Sequence, residues 1–307
     1  MIALSTCWVP EGATALRQIF EAGCEMGFRQ FELGVIRPEA GIKFSLAEVL
    51  KAEDELGIEI VSAHNVVSEL PTDEKNIRGD FIASLHEERR RIGVRDALET
   101  AKNCRAAGGR AIIVHSGFVK GIKFPEILER QERVSRQIEA QGLTSDVKDE
   151  IRRMYDWRNR SAAPHLEAAV RSLKEIVSTA PDVKFALEPR YFFNEIPTID
   201  EVQILMDRIC APNVWYWHDV GHCQMSEFFG LCRHEEWLER YGGKLIGVHL
   251  HDMIGARDHR RIGTGNIDFK MVARYLKPGT IKVLEFGAVS IQDVVDSVKH
   301  LQDLGIA

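Results

Sequence analysis

Eight short apolar runs, each followed by a segment of helical period, constrain this chain more than any other feature. They read "IALST", "FRQFELG", "IEIVSAHN", "RAIIVHS", "VKFALEP", "VWYWHDV", "LIGVHLHD" and "IKVLEF". Continuous apolar strands that alternate with helices belong to parallel sheets, because each crossover lays a helix on the sheet and covers both faces. Eight such units predict a (β/α)8 TIM-barrel architecture, with a doubly wound open sheet as the alternative. The intervening segments carry helix signals of their own. "SLAEVLKAEDELG" starts at Ser45, a good N-cap, and closes on a glycine.

Taking one residue near the end of each run, the positions are Ser5, Glu32, His64, His115, Glu188, Asp219, His249 and Glu285, all polar. Most steps between them are near thirty residues, but those flanking His115 are longer and place extra structure after the third and fourth strands. The second excursion, about 117–160, holds "FPEILERQERVSRQIEAQG" and "SDVKDEIRRMYDWRNR", both charged and helix-prone. It is expected over the barrel mouth as a lid or as a contact in a homo-oligomer, with a solvated excursion as the bland reading. No linker or low-complexity tract interrupts the chain, so residues 1–307 are expected to form one domain.

In such a barrel the carboxyl ends of all strands meet at one face, where acids and imidazoles from different strands converge. Glu188, Asp219, His249 and Glu285 come from the last four runs. Each alone would be a polar residue satisfied by a barrel neighbour; four in register predict a site for one divalent ion. Three carboxylates and one imidazole suit Mn²⁺, Mg²⁺, Co²⁺ or Zn²⁺.

Charge and cysteine usage narrow the partners. A formal net charge of -6 gives no general attraction to a polyanion, so nucleic acid is a disfavoured partner. Cysteines at 7, 24, 104, 210, 223 and 232 include no CxxC pair. With no secretory leader in evidence they predict reduced thiols in a cytoplasmic protein. No apolar run of about 18 residues is present to span a membrane.

Taken together, "SAHN", "VHSG", "LEPR", "HDVGH", "GVHLHD", "RDHRRIGTGNIDF" and "LEF", in this order over nearly the whole chain, resemble the xylose isomerase-like superfamily of TIM barrels. That superfamily contains sugar and keto-sugar isomerases and epimerases, inosose dehydratases and endonuclease IV. The resemblance implies Glu188, Asp219, His249 and Glu285 as metal ligands, with Glu188 and Glu285 also the acid/base pair on opposite faces of a sugar or polyol substrate. The chemistry implied is proton abstraction beside a carbonyl through a metal-stabilised enediolate. It further implies substrate contacts from His222, His251, Arg257 and His259, and from His64 and His115, which would bind an extra zinc in endonuclease IV. His251 shares the parity of His249 and competes with it for the ligand role. Endonuclease IV has an aspartate where this chain has Arg257, and a cation there is expected to oppose a third zinc. Alternatives are a dehydratase using the same residues, a zinc phosphodiesterase like endonuclease IV, and a non-catalytic ligand-binding barrel.

The remaining polar and aromatic residues are weighed individually. Arg190 is expected to bind a substrate anion or to pair with Glu32 or Glu195. Glu32 and Trp8 are expected to line the pocket, while Trp215 and Trp217 should fill the barrel. His218 faces away from Asp219 by parity. His86, His165, His234 and His300 fall in helical segments and are expected at the surface. "GTGN" (263–266) is too short for a nucleotide loop, and Cys223 has no evident partner base.

Overall fold

The computed structural model describes residues 1–34, 36, 40–67, 78–121 and 124–307. Parallel strands β1 (Ala3–Ser5), β2 (Gln30–Leu33), β3 (Glu59–His64), β4 (Ala111–Val114), β5 (Phe185–Leu187), β6 (Val214–Asp219) and β7 (Leu245–Leu250) stand side by side in chain order. A two-stranded antiparallel hairpin, β8 (Asp252–Ile254) and β9 (Arg257–Arg260), follows β7. The eighth barrel strand is β10 (Ile281–Leu284), which pairs with both β7 and β1 and so closes the ring. The open-sheet alternative is thereby excluded.

Strand alternation sorts the side chains. Ala3, Val61, Ala111, Ile113, Ala186, Trp217 and Val283 fill the barrel, with Trp215 and Ile246 packed against them. Their neighbours along each strand point outward under the helices, where the main core lies. Trp217 lies so close to β7 that a Cβ at Gly247 would stand 2.0 Å from its ring, which makes glycine obligatory there. The expectation that Trp215 and Trp217 fill the barrel holds. Lys184 and Lys244 additionally cover the ring of Trp215, at 5.6 and 5.4 Å from its centroid.

The barrel helices are α1 (Leu16–Glu25), α2 (Leu46–Leu56), α3 (Glu87–Ala106), α6 (Ile199–Ile209), α7 (Val220–Phe228), α8 (His234–Tyr241), α9 (Phe269–Ala273) and α10 (Ile291–Asp303). At α2 the sequence signals act as read: Ser45 accepts from the Glu48 amide, and Gly57 ends the helix at φ 63°. None of the described helices is long and apolar enough to cross a membrane.

After β4 the chain runs through α4 (Phe124–Gln141) into α5 (Ser145–Thr179), a single helix of 35 residues. The sequence reading stopped the excursion near 160, but the second charged segment is continuous with the barrel helix. Pro164 sits inside α5, where it removes a backbone hydrogen bond. Tertiary contacts grip the helix on both sides of it: Arg158 pairs with Glu201, His165 Nδ1 faces Ala83 O (2.8 Å), and Ser172 Oγ donates to Ile82 O (2.7 Å). At the other end α4 touches loops that follow β5 and β7. Gln131 Nε2 donates to Tyr191 O (3.2 Å), the Phe193 amide donates to Gln131 Oε1 (3.1 Å), and the Ala256 amide donates to Glu139 Oε1 (3.2 Å). Residues 122–123 of the excursion, and 68–77 of the longer segment after β3, lie outside the described residues.

Candidate metal centre

The four residues singled out at strand ends come together around one nitrogen. His249 Nδ1 lies 2.7 Å from Glu188 Oε1, 3.1 Å from Glu285 Oε2 and 3.6 Å from Asp219 Oδ2. An ion with bonds near 2.1 Å separates neighbouring ligands by about 3 Å, so this spacing fits one divalent cation. Donor bookkeeping points the same way: Glu285 Oε2 is buried with no well-aligned hydrogen bond, its nearest imidazole nitrogens being His249 Nδ1 (3.1 Å) and His259 Nε2 (3.5 Å), a costly state for a carboxylate unless a cation satisfies it.

Electrostatics follow from the crowding of acids. Burial alone would raise Glu188, but His64, with hydrogen bonds from His115 and His249, holds it well below the usual carboxylate range. Glu285 is held down against burial by His249, His259 and His64, and Asp219 by His222, His251 and His249. Burial works against a charged His249, yet Glu285, Glu32, Asp219 and Glu188 hold it protonated well above the ordinary imidazole range. Without metal, a proton on Nδ1 therefore stands where a cation would bind. His64, 3.2 Å from Glu285 Oε1 through Nδ1, is likewise pushed up to about 9 against the effect of burial, chiefly by Glu188.

Backbone partners fix the roles of two more histidines. The His259 amide donates to His251 Nδ1 (2.9 Å), so His251 must carry its proton on Nε2, where it lies 3.2 Å from both Asp219 oxygens. In this tautomer His251 holds Asp219, and its ligand atom also converges with those of Asp219, His259 and Glu285. This packing depends on Gly221 of "HDVGH", since a Cβ there would stand 2.3 Å from His251 Cε1. His222 Nδ1 donates to Pro189 O (2.8 Å), which leaves Nε2 as a bare acceptor. Asp219 also caps α7 by accepting from the His222 amide (2.8 Å).

Several expected residues stand differently from the sequence reading. Glu32 is wholly buried, with its oxygens on the opposite edge of the His249 ring (3.0 and 3.2 Å from Nε2), and does not face an open pocket. Trp8 is also wholly buried, its indole donating to Val289 O (3.0 Å), so it offers no open wall. Arg190 pairs with Glu195 (2.9 Å), one of the two partners foreseen, and with Glu188 Oε2 (2.9 Å), which was not. Arg257 lies exposed on β9, and the carboxylate expected to be missing there is supplied by the next residue. Asp258 stands 3.1 Å from His259 Nδ1 and 3.7 Å from His222 Nε2, so the argument from a cation at this position fails. His64, His115 and Glu188 form a further group with converging ligand atoms.

His165 and His234 are buried rather than at the surface; both find polar partners, which removes the cost of burial. His86 and His300 are exposed as expected. The sequence reading missed Asp252, whose carboxylate accepts from the amides of Gly263, Thr264 and Gly265 (2.9, 3.1 and 2.8 Å). The anion cradle of "GTGN" is thus filled by the chain's own acid. The sequence signal was there, an Asp directly after "VHLH" and a glycine turn a short loop away. His259, at φ 53°, holds the left-handed backbone that a branched or bulky side chain rarely adopts, a strain typical of functional loops.

Residues 151–301 match the family model described as xylose isomerase-like TIM barrel. Among curated proteins none matches the sequence. Among solved structures, a D-tagatose 3-epimerase-like protein superposes with a TM-score of 0.67 at 21% identity, over 99% of this chain and 96% of its own. The 3-keto-D-glucoside 4-epimerase of E. coli gives 0.66 at 16% over 98% of each chain. An AP endonuclease of family 2 from Brucella melitensis gives 0.63 at 14%, again over 98% of each. Residues 151–301 thus resemble that family in sequence, and the chain as a whole carries a closed eight-stranded parallel barrel shared with these structures.

Proposed function

We propose that the protein is a divalent-metal-dependent isomerase or epimerase acting beside the carbonyl of a sugar or keto-sugar. The observation that carries this reading is the convergence of Glu188, Asp219 and Glu285 on His249 Nδ1, with one oxygen of Glu285 left without a well-aligned hydrogen bond. A divalent cation held there would draw charge from a carbonyl and its neighbouring hydroxyl, easing loss of the proton between them. The rest falls to the chain's own groups. Glu285, buried at the centre, is the group placed to accept that proton. Glu188, with Oε2 steadied by Arg190, serves from the other face. His222 Nε2 is a bare acceptor suited to a sugar hydroxyl. Helix α4, bound to the loops after β5 and β7, is the element suited to cover the mouth and exclude water. The resemblance to two sugar epimerases supports the substrate class.

The test is solvent exchange. In D₂O, a panel of keto-sugars with Mn²⁺ should yield one substrate that takes up deuterium next to its carbonyl as it is converted. Glu285→Gln that keeps its ion should lose exchange and turnover together, by about 10³-fold or more. Conversion without any deuterium uptake or internal proton return overturns the enediolate reading.

A second reading, zinc-dependent phosphodiester cleavage, has one observation in its favour. His222, Asp258 and His259 gather beside the central site as His64, His115 and Glu188 do on its other flank, so three groups of ligand atoms lie side by side. Cleavage of abasic DNA by the zinc-loaded protein, with no conversion of any sugar, would select it.

A further inference from the structure

A metal held by the ends of β5, β6, β7 and β10 leaves one buried acid at the site without a role. Glu32, the penultimate residue of β2, has no exposed surface. Its Oε1 lies 3.0 Å and its Oε2 3.2 Å from His249 Nε2, and Oε2 also accepts from Ser62 Oγ at 2.8 Å. That seat is built by strand register, because Glu32 pairs with Ser62 across β2 and β3. Glu32 sits on the Nε2 edge of the ring, whereas the other three carboxylates sit on the Nδ1 edge. One ion bound to Nδ1 is therefore out of its reach, and Glu32 is not a fifth ligand.

A carboxylate behind an imidazole takes the N–H on its own side and leaves the opposite nitrogen as a lone pair. We infer that Glu32, seated by Ser62, is the positioning residue that fixes the proton of His249 on Nε2 and so presents Nδ1 to the cation. The inference rests on the metal-centre reading above. It accounts for two buried polar groups, Glu32 and Ser62, that neither a substrate contact nor core packing explains. It also gives β2 a part in a centre whose ligands all come from the last four strands.

The test measures metal affinity and ring protonation rather than turnover. Chelator-treated wild type, Glu32→Gln, Glu32→Ala and Ser62→Ala are titrated with Mn²⁺ by calorimetry. The metal-free proteins are melted alongside, and the His249 ring nitrogens are read by ¹⁵N NMR in the Zn²⁺-loaded state. Glu32→Gln, whose amide oxygen can still accept, should bind about tenfold more weakly, and Glu32→Ala about a hundredfold. Ser62→Ala should fall between wild type and Glu32→Gln. The metal-free melting temperature of Glu32→Gln should not drop, because a buried charge has been removed. The wild-type spectrum should give a protonated Nε2. Wild-type affinity in both Glu32 variants, or metal on Nε2, overturns this inference while leaving the metal centre intact. A wild type that takes up no Mn²⁺ or Zn²⁺ overturns the metal-centre reading and this inference with it.

Discussion

Two buried histidine clusters lie back to back on strand β6, and they differ in how their hydrogen bonds close. On the outer face, His234 Nδ1 donates to Gln224 Oε1 (2.9 Å), and His218 Nε2 donates to His234 Nε2 (3.0 Å). Tyr216 OH then donates to His218 Nδ1 (2.9 Å), with Cys223 Sγ 3.4 Å away. Each acceptor has a donor and both rings are neutral; burial pushes His234 down to about 4 and His218 well below the ordinary range. On the inner face Asp219 joins a cluster with too many acceptors: three carboxylates share one nitrogen, and Glu285 Oε2 receives no well-aligned hydrogen bond. Both clusters hold ligand atoms close enough to bind metal. Residue type and proximity do not separate them. The count of donors against acceptors does, because an excess of buried lone pairs is what a cation relieves.

The sharpest way to break this comparison is to remove ligands from one side at a time. Glu188→Gln or Asp219→Asn should empty the centre and lower turnover by roughly 10³-fold or more, whereas His234→Asn should keep about one ion per chain. Elemental analysis decides. An ion that survives both inner substitutions and leaves with His234→Asn inverts the assignment.

Protons probe the inner cluster next. The metal-free site holds a proton on His249 that the cation must displace, so metal uptake near neutral pH should release about one proton and affinity should rise roughly tenfold per pH unit. Calorimetry in buffers of different ionisation heat reads that proton directly; uptake without release contradicts a protonated His249.

The outer cluster also weakens in acid, but through folding rather than through metal binding. The unfolded chain protonates His234 near 6.5 but the folded chain only near 4, so folding strength is lost as pH falls through that window. The loss from this residue is about 3 kcal/mol at most. His234→Gln should flatten the decline in urea unfolding between pH 6.5 and 4, and an unchanged slope argues against a neutral buried pair. The smallest effect is expected at Cys223. Its thiol is buried and pushed well above its ordinary range, so Cys223→Ala should cost about 1–2 kcal/mol of stability and leave turnover unchanged.

The sequence alone determined the barrel and which strand ends carry acids and imidazoles. Eight apolar runs with helices between them allow few other closures, and period-two alternation alone places Asp219 and His218 on opposite faces of their strand. Glu188, Asp219, His249 and Glu285 were legible because each interrupts an apolar strand at its end, where an acid is costly without a purpose. What the sequence could not give depends on contacts between residues far apart in the chain. Helix α5 runs through Pro164 because Glu201, Ala83 and Ile82 hold it from outside. His251 turns Nε2–H toward Asp219 because a single amide, that of His259, decides which of its nitrogens carries the proton. Asp258 rather than Arg257 turns toward His222 because the hairpin sets which of two neighbours faces inward. Local pattern fixes where a polar side chain begins; only the packed barrel decides which lone pair it meets, because hydrogen bonds are directional over a few tenths of an ångström and sequence spacing is not.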